Sequence, residues 1–156
     1  IPKISVIKDA LFLAEQKFKL TYDIITDLDV TSPLRSVEDI KKSFVYFING
    51  NFDNLITGCT SRRNPYFNMI EIVNNKVLLS KKIDPLPNSR QEAPEVFDMN
   101  ASIYIWKRDT LIREKKIITN NTGFYKMPED RSYDIDKILD FTMVEKIMES
   151  KLENKT

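Results

Sequence analysis

A strand-like apolar run becomes polar within the stretch Tyr22-Asp-Ile-Ile-Thr-Asp-Leu-Asp-Val-Thr-Ser-Pro-Leu-Arg35. Ile24 and Ile25 are typical of a buried parallel strand, and Asp27 and Asp29 follow within four residues. In open α/β sheets, ligands bind outside the carboxyl ends of strands, and carboxylates there hold Mg²⁺ against phosphate oxygens. The alternative is a strand end followed by a proline turn and a solvated arginine, because such polar clusters are common on protein surfaces. The residue types leave both interpretations open.

The composition describes one ordinary globular domain. The chain has 156 residues, with 42% hydrophobic and 30% charged side chains, which is enough for a substantial core. A net charge of +1, without a basic block, argues against a nucleic-acid binder. The sequence contains no apolar run of the ~20 residues that a membrane helix needs. The single Cys59 excludes an internal disulfide and fits a reducing cytoplasm.

Two absences limit the chemistry. The chain has no histidine, which removes the commonest general base and the Ser-His-Asp triad. It has three glycines, and neither of the common glycine-rich phosphate loops is present. Catalysis would therefore rest on carboxylates, Arg, Lys, Tyr or a hard metal ion.

The order of elements predicts an α/β domain. We expect helices at about 4–19, 36–48, 107–113 and 136–151, and strands at about 22–29, 54–60, 97–106 and 123–127. A hairpin over 69–82 is predicted by the turn pair Asn74-Asn75, since asparagine tolerates positive φ. Apolar stripes at helical spacing predict that Ile40, Phe44, Phe47 and Ile48 are buried, and likewise Ile138, Phe141, Val144 and Met148.

Two further polar segments are candidates for a site. Arg62-Arg63-Asn64-Pro65-Tyr66-Phe67 could grip an anionic sugar, with arginine on a carboxylate and the aromatic rings on an apolar face. The alternative is a surface turn with a buried aromatic pair. Asp134 and Asp136 stand at a predicted helix start, where acids usually cap the helix, but they also form an Asp-x-Asp metal motif.

From Thr31 onward, the motifs resemble those of the nonulosonic acid cytidylyltransferases, also called CMP-sialic acid synthetases. The matching stretches, in the family's order, are Thr31-Ser-Pro-Leu-Arg35, Arg62-Arg-Asn-Pro-Tyr-Phe67, Arg90-Gln91, Asn100-Ala-Ser-Ile-Tyr104 and Ser132-Tyr-Asp-Ile-Asp136. The version found here is most similar to that of bacterial CMP-legionaminic acid synthetases, with sialic acid as the near alternative.

The resemblance implies transfer of CMP from CTP to a nine-carbon α-keto sugar acid, with release of pyrophosphate. It implies that Asp134 and Asp136 bind Mg²⁺, and that Arg90 and Gln91 lie near the sugar. It places Asn100 and Tyr104 on the strand that faces the sugar, and Ser32 and Arg35 at the boundary between nucleotide and sugar. The substrate-binding residues expected in all are Asp29, Ser32, Arg35, Arg62, Arg63, Tyr66, Phe67, Gln91, Asn100 and Tyr104.

Two departures from the family's pattern affect these expectations. Asp29 stands where the sialic acid enzymes usually carry glutamine, so its partner would be sugar or metal. Asp98 stands where some of them carry arginine, so Arg62 or Arg63 would supply carboxylate recognition.

The resemblance also implies a Rossmann-like, mostly parallel sheet with helices on both faces. A β-hairpin dimerisation extension is expected at about 107–127. The family's N-terminal strand and CTP loop are missing, so we expect residues 1–156 to be a single domain, the C-terminal two-thirds of a cytidylyltransferase domain.

We expect a cytoplasmic, Mg²⁺-dependent homodimer, in which acids near 27–29 and 134–136 converge on the metal. The alternatives are a catalytically incomplete fragment that binds the sugar acid or dimerises, and a nucleotidyltransferase for another sugar.

Overall fold

The computed structural model describes residues 2–153, which form an α/β fold. The helices are α1 (Lys3–Phe18), α2 (Val37–Asn49), α3 (Arg108–Arg113) and α4 (Ile138–Glu153), with a 3₁₀ turn at Glu129–Arg131. The strands are β1 (Ile24–Leu28), β2 (Asn54–Thr60), β3 (Ile70–Val73), β4 (Lys76–Leu79), β5 (Phe97–Lys107) and β6 (Thr122–Lys126). Among residues 2–153, no helix is long and apolar enough to cross a membrane.

The main sheet has four strands in the order β1-β5-β2-β6. The expectation of a mostly parallel sheet is wrong, because β5 is antiparallel to both β1 and β2, and β2–β6 is the parallel pair. Since β5 alone is reversed, β1, β2 and β6 still run in one direction and their carboxyl ends share one edge. Residue alternation predicts that a segment is a strand, but the direction of that strand depends on the long connections around it.

β1 lies at one edge of this sheet and is partly exposed, whereas its apolar start predicted a buried central strand. Within residues 2–153 it pairs with β5 alone, so its other side carries no strand partner. A run as short as Ile24-Ile25 cannot distinguish a central strand from an edge strand.

Helices cover both faces of the sheet, as predicted. Tyr104 and Trp106 of β5 point to one face, where they pack with Ile7 and Leu11 of α1 and with α3. Ile103 and Ile105 alternate to the other face, where Phe47 of α2 meets them. These two apolar layers bury the centre of β5 almost completely.

A separate two-stranded sheet is formed by β3 and β4. Asn74 and Asn75 have φ values of 51° and 60°, which confirms the predicted turn. Its cross-strand pairs Ile70–Leu79 and Ile72–Val77 share one face of the hairpin. Ile72 and Val77 of this face are 73% and 64% exposed.

Residues 107–127, expected as an extension, are instead built into the main domain. They form α3, a connecting loop and β6, which pairs with β2 along its length. Leu111 and Met127 are buried in the two cores. The element that projects is the β3–β4 hairpin.

The predicted helix stripes are partly wrong. Phe47 and Val144 are buried as predicted, but Phe44, Ile48, Ile138, Phe141 and Met148 are exposed. Helical spacing shows which residues share a face, but it does not show how much of that face finds a partner.

Candidate functional site

The two acidic segments predicted to converge on a metal lie side by side at the edge where β1 and β6 end, and the shared metal stays a prediction. The Ser32 hydroxyl donates a hydrogen bond to Asp134 Oδ1. The Ile135 backbone N–H donates to the Thr31 carbonyl at 2.9 Å, which fixes the second segment alongside the first. The Thr-Ser-Pro motif and the Asp-x-Asp motif, about 100 residues apart in the chain, therefore form one site.

The loop after β1 is shaped by its own polar groups. Asp29 Oδ1 accepts hydrogen bonds from the Thr31 backbone N–H at 3.1 Å and the Thr31 hydroxyl at 2.9 Å. This is the local side-chain-to-backbone turn that aspartate favours. Arg35 donates to the carbonyls of Asp29 at 2.9 Å and Ser102 at 2.7 Å. In this structure Arg35 therefore connects the loop to β5 through hydrogen bonds.

A bulge in β5 forms the floor of the site. Ala101 has φ 51°, and the pairing with β2 shifts register at this point. Gly58 lies opposite, where a Cβ atom would come within 2.4 Å of the Asp98 carbonyl. Such bulges redirect backbone groups, and here they turn the Asn100 and Ser102 carbonyls toward Ser32 and Arg35.

Asn100 is buried at 3% exposure, and its amide is engaged within the protein. Its Oδ1 accepts from the Thr57 hydroxyl at 2.7 Å, and its Nδ2 donates to the Ser132 hydroxyl at 2.9 Å. Asn100 thus connects the bulge to the segment before Asp134. Its predicted sugar contact stays a prediction, and so does that of the buried Tyr104.

Sequence reasoning missed Lys3, which lies just before the predicted helix at about 4–19 but inside α1 in the structure. The Lys3 ammonium donates to Asp29 Oδ2 at 2.6 Å. It also lies 3.1 Å from Asp27 Oδ2, as an ion pair without hydrogen-bond geometry. A signal was present, since a lysine in the first turn of a helix opposes the helix dipole and needs an acidic partner.

This lysine stabilises the charged form of Asp29. The hydrogen bond from Lys3, reinforced by those from Thr31, lowers the pKa of Asp29 to about 2. Burial acts to lower the pKa of Lys3, but its contacts with Asp29 and Asp27 outweigh that effect and the pKa is raised. Both carboxylate oxygens of Asp29 therefore already have hydrogen-bond donors within the protein.

Asp134 has the opposite electrostatic environment. Its pKa is raised, chiefly by burial, and the negative charges of Asp29 and Asp136 act in the same direction. The hydrogen bond from Ser32 partly offsets these effects. A positive charge beside Asp134 and the exposed Asp136 would relieve this repulsion.

The donor set fits Mg²⁺, although no described residues form a group of three or more acidic, cysteine or histidine side chains suited to a metal. Mg²⁺ is commonly held by one or two carboxylates together with water and substrate phosphates. Asp134 and Asp136 supply that number of carboxylates, at the sheet edge where a phosphate would bind.

An ion pair fixes the segment that leads to Asp134. Arg131 donates two hydrogen bonds to Asp39, at 2.7 and 2.9 Å. Asp39 is also the third residue of α2, where it forms a reciprocal capping box with Ser36. Burial acts to raise the pKa of Asp39, but Arg131 and Ser36 outweigh it, and the pKa is lowered.

The predicted arginines lie on the neighbouring loop. Arg62 pairs with Glu129 and donates to the Tyr133 hydroxyl at 2.9 Å, next to Asp134. Arg90 donates to the Ser61 carbonyl at 2.6 Å. Arg90, Gln91, Ser61 and Asn64 line a cavity of about 200 Å³.

Arg63, Tyr66 and Phe67 lie on the same loop, and among the described residues their side chains form no hydrogen bond to the acidic segments. Arg63 is exposed. Tyr66 lies under the Lys81 ammonium, 5.5 Å from its ring centroid, and Phe67 is 38% exposed. The predicted aromatic grip on a sugar stays a prediction.

Comparisons with known proteins assign the relationship. The chain is 46% identical over 149 residues to the post-translational flagellin modification protein B of Campylobacter coli, covering 96% of this chain and 63% of that protein. It is also 46% identical over 143 residues to the CMP-N,N'-diacetyllegionaminic acid synthase of Campylobacter jejuni, covering 92% of this chain and 60% of that protein. The relatives named as cytidylyltransferases support membership of the nonulosonic acid cytidylyltransferase family over the aligned residues. No family model matches it.

A more distant cytidylyltransferase aligns over a shorter stretch. The N-acylneuraminate cytidylyltransferase of Streptococcus agalactiae serotype III is 28% identical over 118 residues, or 75% of this chain and 28% of that protein. Compared with the two Campylobacter relatives, this chain spans about three-fifths of their length. The membership applies to the aligned part, and the activity of a whole cytidylyltransferase is a proposal.

Proposed function

We propose that this chain forms part of a cytidylyltransferase that transfers CMP from CTP to a nine-carbon α-keto sugar acid and releases pyrophosphate. The observation that carries the proposal is the junction of the Thr-Ser-Pro loop with the Asp-x-Asp segment through Ser32 and Asp134. The 46% identity to a CMP-N,N'-diacetyllegionaminic acid synthase supports this reaction class.

Phosphoryl transfer requires positioning and charge neutralisation more than covalent chemistry from the protein, which suits a chain without histidine. In the proposal, Asp134 and Asp136 hold Mg²⁺, which neutralises phosphate charge when bound. Ser32 orients Asp134 by donating to its Oδ1, and the Arg131–Asp39 pair fixes the backbone before it. These contacts hold the carboxylates in place before substrate arrives.

The cavity beside Arg90 is the proposed position of the sugar acid. Arg90 and Gln91 supply donors at its wall, and Arg62 lies on the same loop beside Tyr133. A guanidinium is suited to a sugar carboxylate because its donors match the two carboxylate oxygens. Asp29 is paired with Lys3 and Thr31, so in this proposal it shapes the loop, and its expected contact with sugar or metal stays a prediction.

The test is pyrophosphate release from CTP by the protein that carries this sequence. We expect release that requires Mg²⁺ and a nonulosonic acid, with N,N'-diacetyllegionaminic acid and N-acetylneuraminic acid compared side by side. Sugar 1-phosphates form the control panel. Activity with a sugar phosphate and none with either keto acid would favour the alternative of a nucleotidyltransferase for another sugar.

The cavity beside Arg90 also suits a second candidate: a catalytically incomplete fragment that binds the sugar acid without catalysing transfer. Calorimetry on the 156-residue chain distinguishes the two. Heat of binding with the sugar acid and none with CTP supports the fragment, whereas binding of both supports the enzyme.

We further propose a homodimer in the cytoplasm, where CTP is available. The β3–β4 hairpin supports the dimer, because an isolated two-stranded sheet is marginally stable in water and gains from covering its apolar face. Ile70, Ile72 and Val77 leave that face exposed in a single chain. The hairpin thus replaces residues 107–127 as the proposed dimerisation element.

A further inference from the structure

Four carboxylates lie near one another at the site, and a fixed cation divides them into two pairs. Within residues 2–153, the ion pairs of this cluster run from Lys3 to Asp27 and Asp29, and none joins a lysine or arginine to Asp134 or Asp136. We propose that Lys3 supplies the cation for Asp27 and Asp29 and so confines divalent-ion binding to Asp134 and Asp136. This inference rests on the proposed function, which assigns the metal to the second pair.

The Lys3 ammonium group lies between the carboxylates of Asp27 and Asp29. Lys3 Nζ lies 3.1 Å from Asp27 Oδ2 and 2.6 Å from Asp29 Oδ2, so one oxygen from β1 and one from the loop directly after it converge on a single point. The ring of Tyr104, which pairs with Asp27 across the sheet, closes this point from another side at 4.7 Å from Nζ. A metal ion that approached both oxygens would have to occupy the space that the ammonium fills.

The lysine is held there by the fold. Lys3 lies in the first turn of α1, and Ile4 and Ile7 just after it are buried against the sheet. The three charged side chains are 23–28% exposed, so the contact is partly shielded from water. Partial burial strengthens the attraction relative to an exposed pair.

The second carboxylate pair is left without such a partner. Asp134 accepts a hydrogen bond from Ser32, a neutral donor, and within the described residues neither Asp134 nor Asp136 forms an ion pair with a lysine or arginine. A divalent ion therefore relieves more repulsion beside Asp134 and Asp136 than beside the neutralised pair.

The experiment measures Mn²⁺ binding to the 156-residue chain by electron paramagnetic resonance. We expect the unmodified chain to bind Mn²⁺, and Asp134→Asn to weaken binding about tenfold or more, because Mn²⁺ loses a charged ligand. The double variant Lys3→Met, Asp134→Asn should gain a new Mn²⁺ site between Asp27 and Asp29. The matched control, Lys3→Arg with Asp134→Asn, keeps the positive charge and should leave the site closed.

A double variant Lys3→Met, Asp134→Asn that binds no more Mn²⁺ than Asp134→Asn would overturn the inference. If the double variant proves unfolded by circular dichroism, Asp27→Asn decides instead. The inference requires that Asp27→Asn change Mn²⁺ affinity by no more than about threefold, the scale of a partly exposed charge. A loss as large as that of Asp134→Asn would overturn it.

The proposed function fails separately. If Asp134→Asn binds Mn²⁺ as well as the unmodified chain does, the metal assignment is wrong. In that case the confinement to Asp134 and Asp136 fails with it, and whether Lys3→Met adds a site tests only the claim that Lys3 closes the Asp27–Asp29 pair to metal.

Discussion

At the scale of single residues, Asp39 connects secondary structure to the candidate site. Its side chain is 2% exposed and accepts from Arg131, while it also caps α2. Replacing it with asparagine removes the charge from two hydrogen bonds and weakens the cap. We expect Asp39→Asn to lower the free energy of unfolding by about 2–3 kcal/mol, the scale of hydrogen bonds to charged groups.

Urea unfolding measures this loss, and Glu95→Gln is its control. Glu95 pairs with Lys126 at 2.8 Å, but both side chains are more than half exposed. Exposed pairs contribute about 0–1 kcal/mol, so the control should lose little. Equal losses in the two variants would show that the Asp39–Arg131 pair has no special role.

The Lys3–Asp29 pair predicts a pH dependence of stability. The folded-state pKa of Asp29 is lowered to about 2 from its ordinary value of 3.8. Because the folded pKa is depressed, the stabilisation is present above the unfolded pKa and is lost as the pH falls through the folded value. The free energy of unfolding should therefore fall between about pH 4 and pH 2, and less steeply in Lys3→Met.

The measurement is urea unfolding at several pH values, compared between the unmodified chain and Lys3→Met. Lys8→Met serves as control, since Lys8 donates to the carbonyls of Ile112 and Glu114 and touches no carboxylate of the cluster. Parallel pH profiles for the unmodified chain and Lys3→Met would contradict the role of Lys3.

At the scale of elements, the β3–β4 hairpin is the best candidate for contact between two copies. Ile72 is 73% exposed on its apolar face. We expect Ile72→Lys to shift a dimer to monomers, because a lysine would be desolvated at the interface, while the melting temperature of the monomer stays nearly unchanged.

Sedimentation velocity tests this expectation, with Leu13→Lys as control. Leu13 is 65% exposed on α1, so it offers a similar apolar-to-lysine change away from the hairpin. A dimer that survives Ile72→Lys but is lost in Leu13→Lys would place the interface on α1.

The elements that sequence predicted best are those with local signals. The β2 bounds and the Asn74-Asn75 turn are as predicted, and α2 lies within one residue of its predicted bounds, because capping and turn residues act on their neighbours in the chain. The exposed stripe of α4 and the reversed direction of β5 were not predicted, since both depend on partners far away in the sequence.

At the scale of the whole molecule, the sequence predicted that two distant acidic segments meet, but not how they are held together. The motifs named Asp134 and Ser32, whereas the supports around them are Lys3, Arg131 and the bulge at Ala101. A helix lysine or a positive φ in a strand has no distinctive motif, so long-range contacts had to reveal them.

The molecule combines a divided acidic cluster with a cavity lined by Arg90 at neighbouring loops of one sheet edge. This arrangement, together with the Campylobacter relatives, supports transfer of CMP to a sugar acid as the central proposal. In this proposal, Asp134 and Asp136 are the residues on which the reaction depends.

The most direct test is Mg²⁺-dependent pyrophosphate release from CTP by the variant Asp134→Asn, Asp136→Asn, with Asp130→Asn as control. Asp130 is an exposed carboxylate of the same segment, 3.2 Å from Lys151. We predict a loss of about a hundredfold or more in the double variant, the scale of removing charge stabilisation from a transfer site, and nearly full activity in the control. Unchanged release in the double variant would contradict the account.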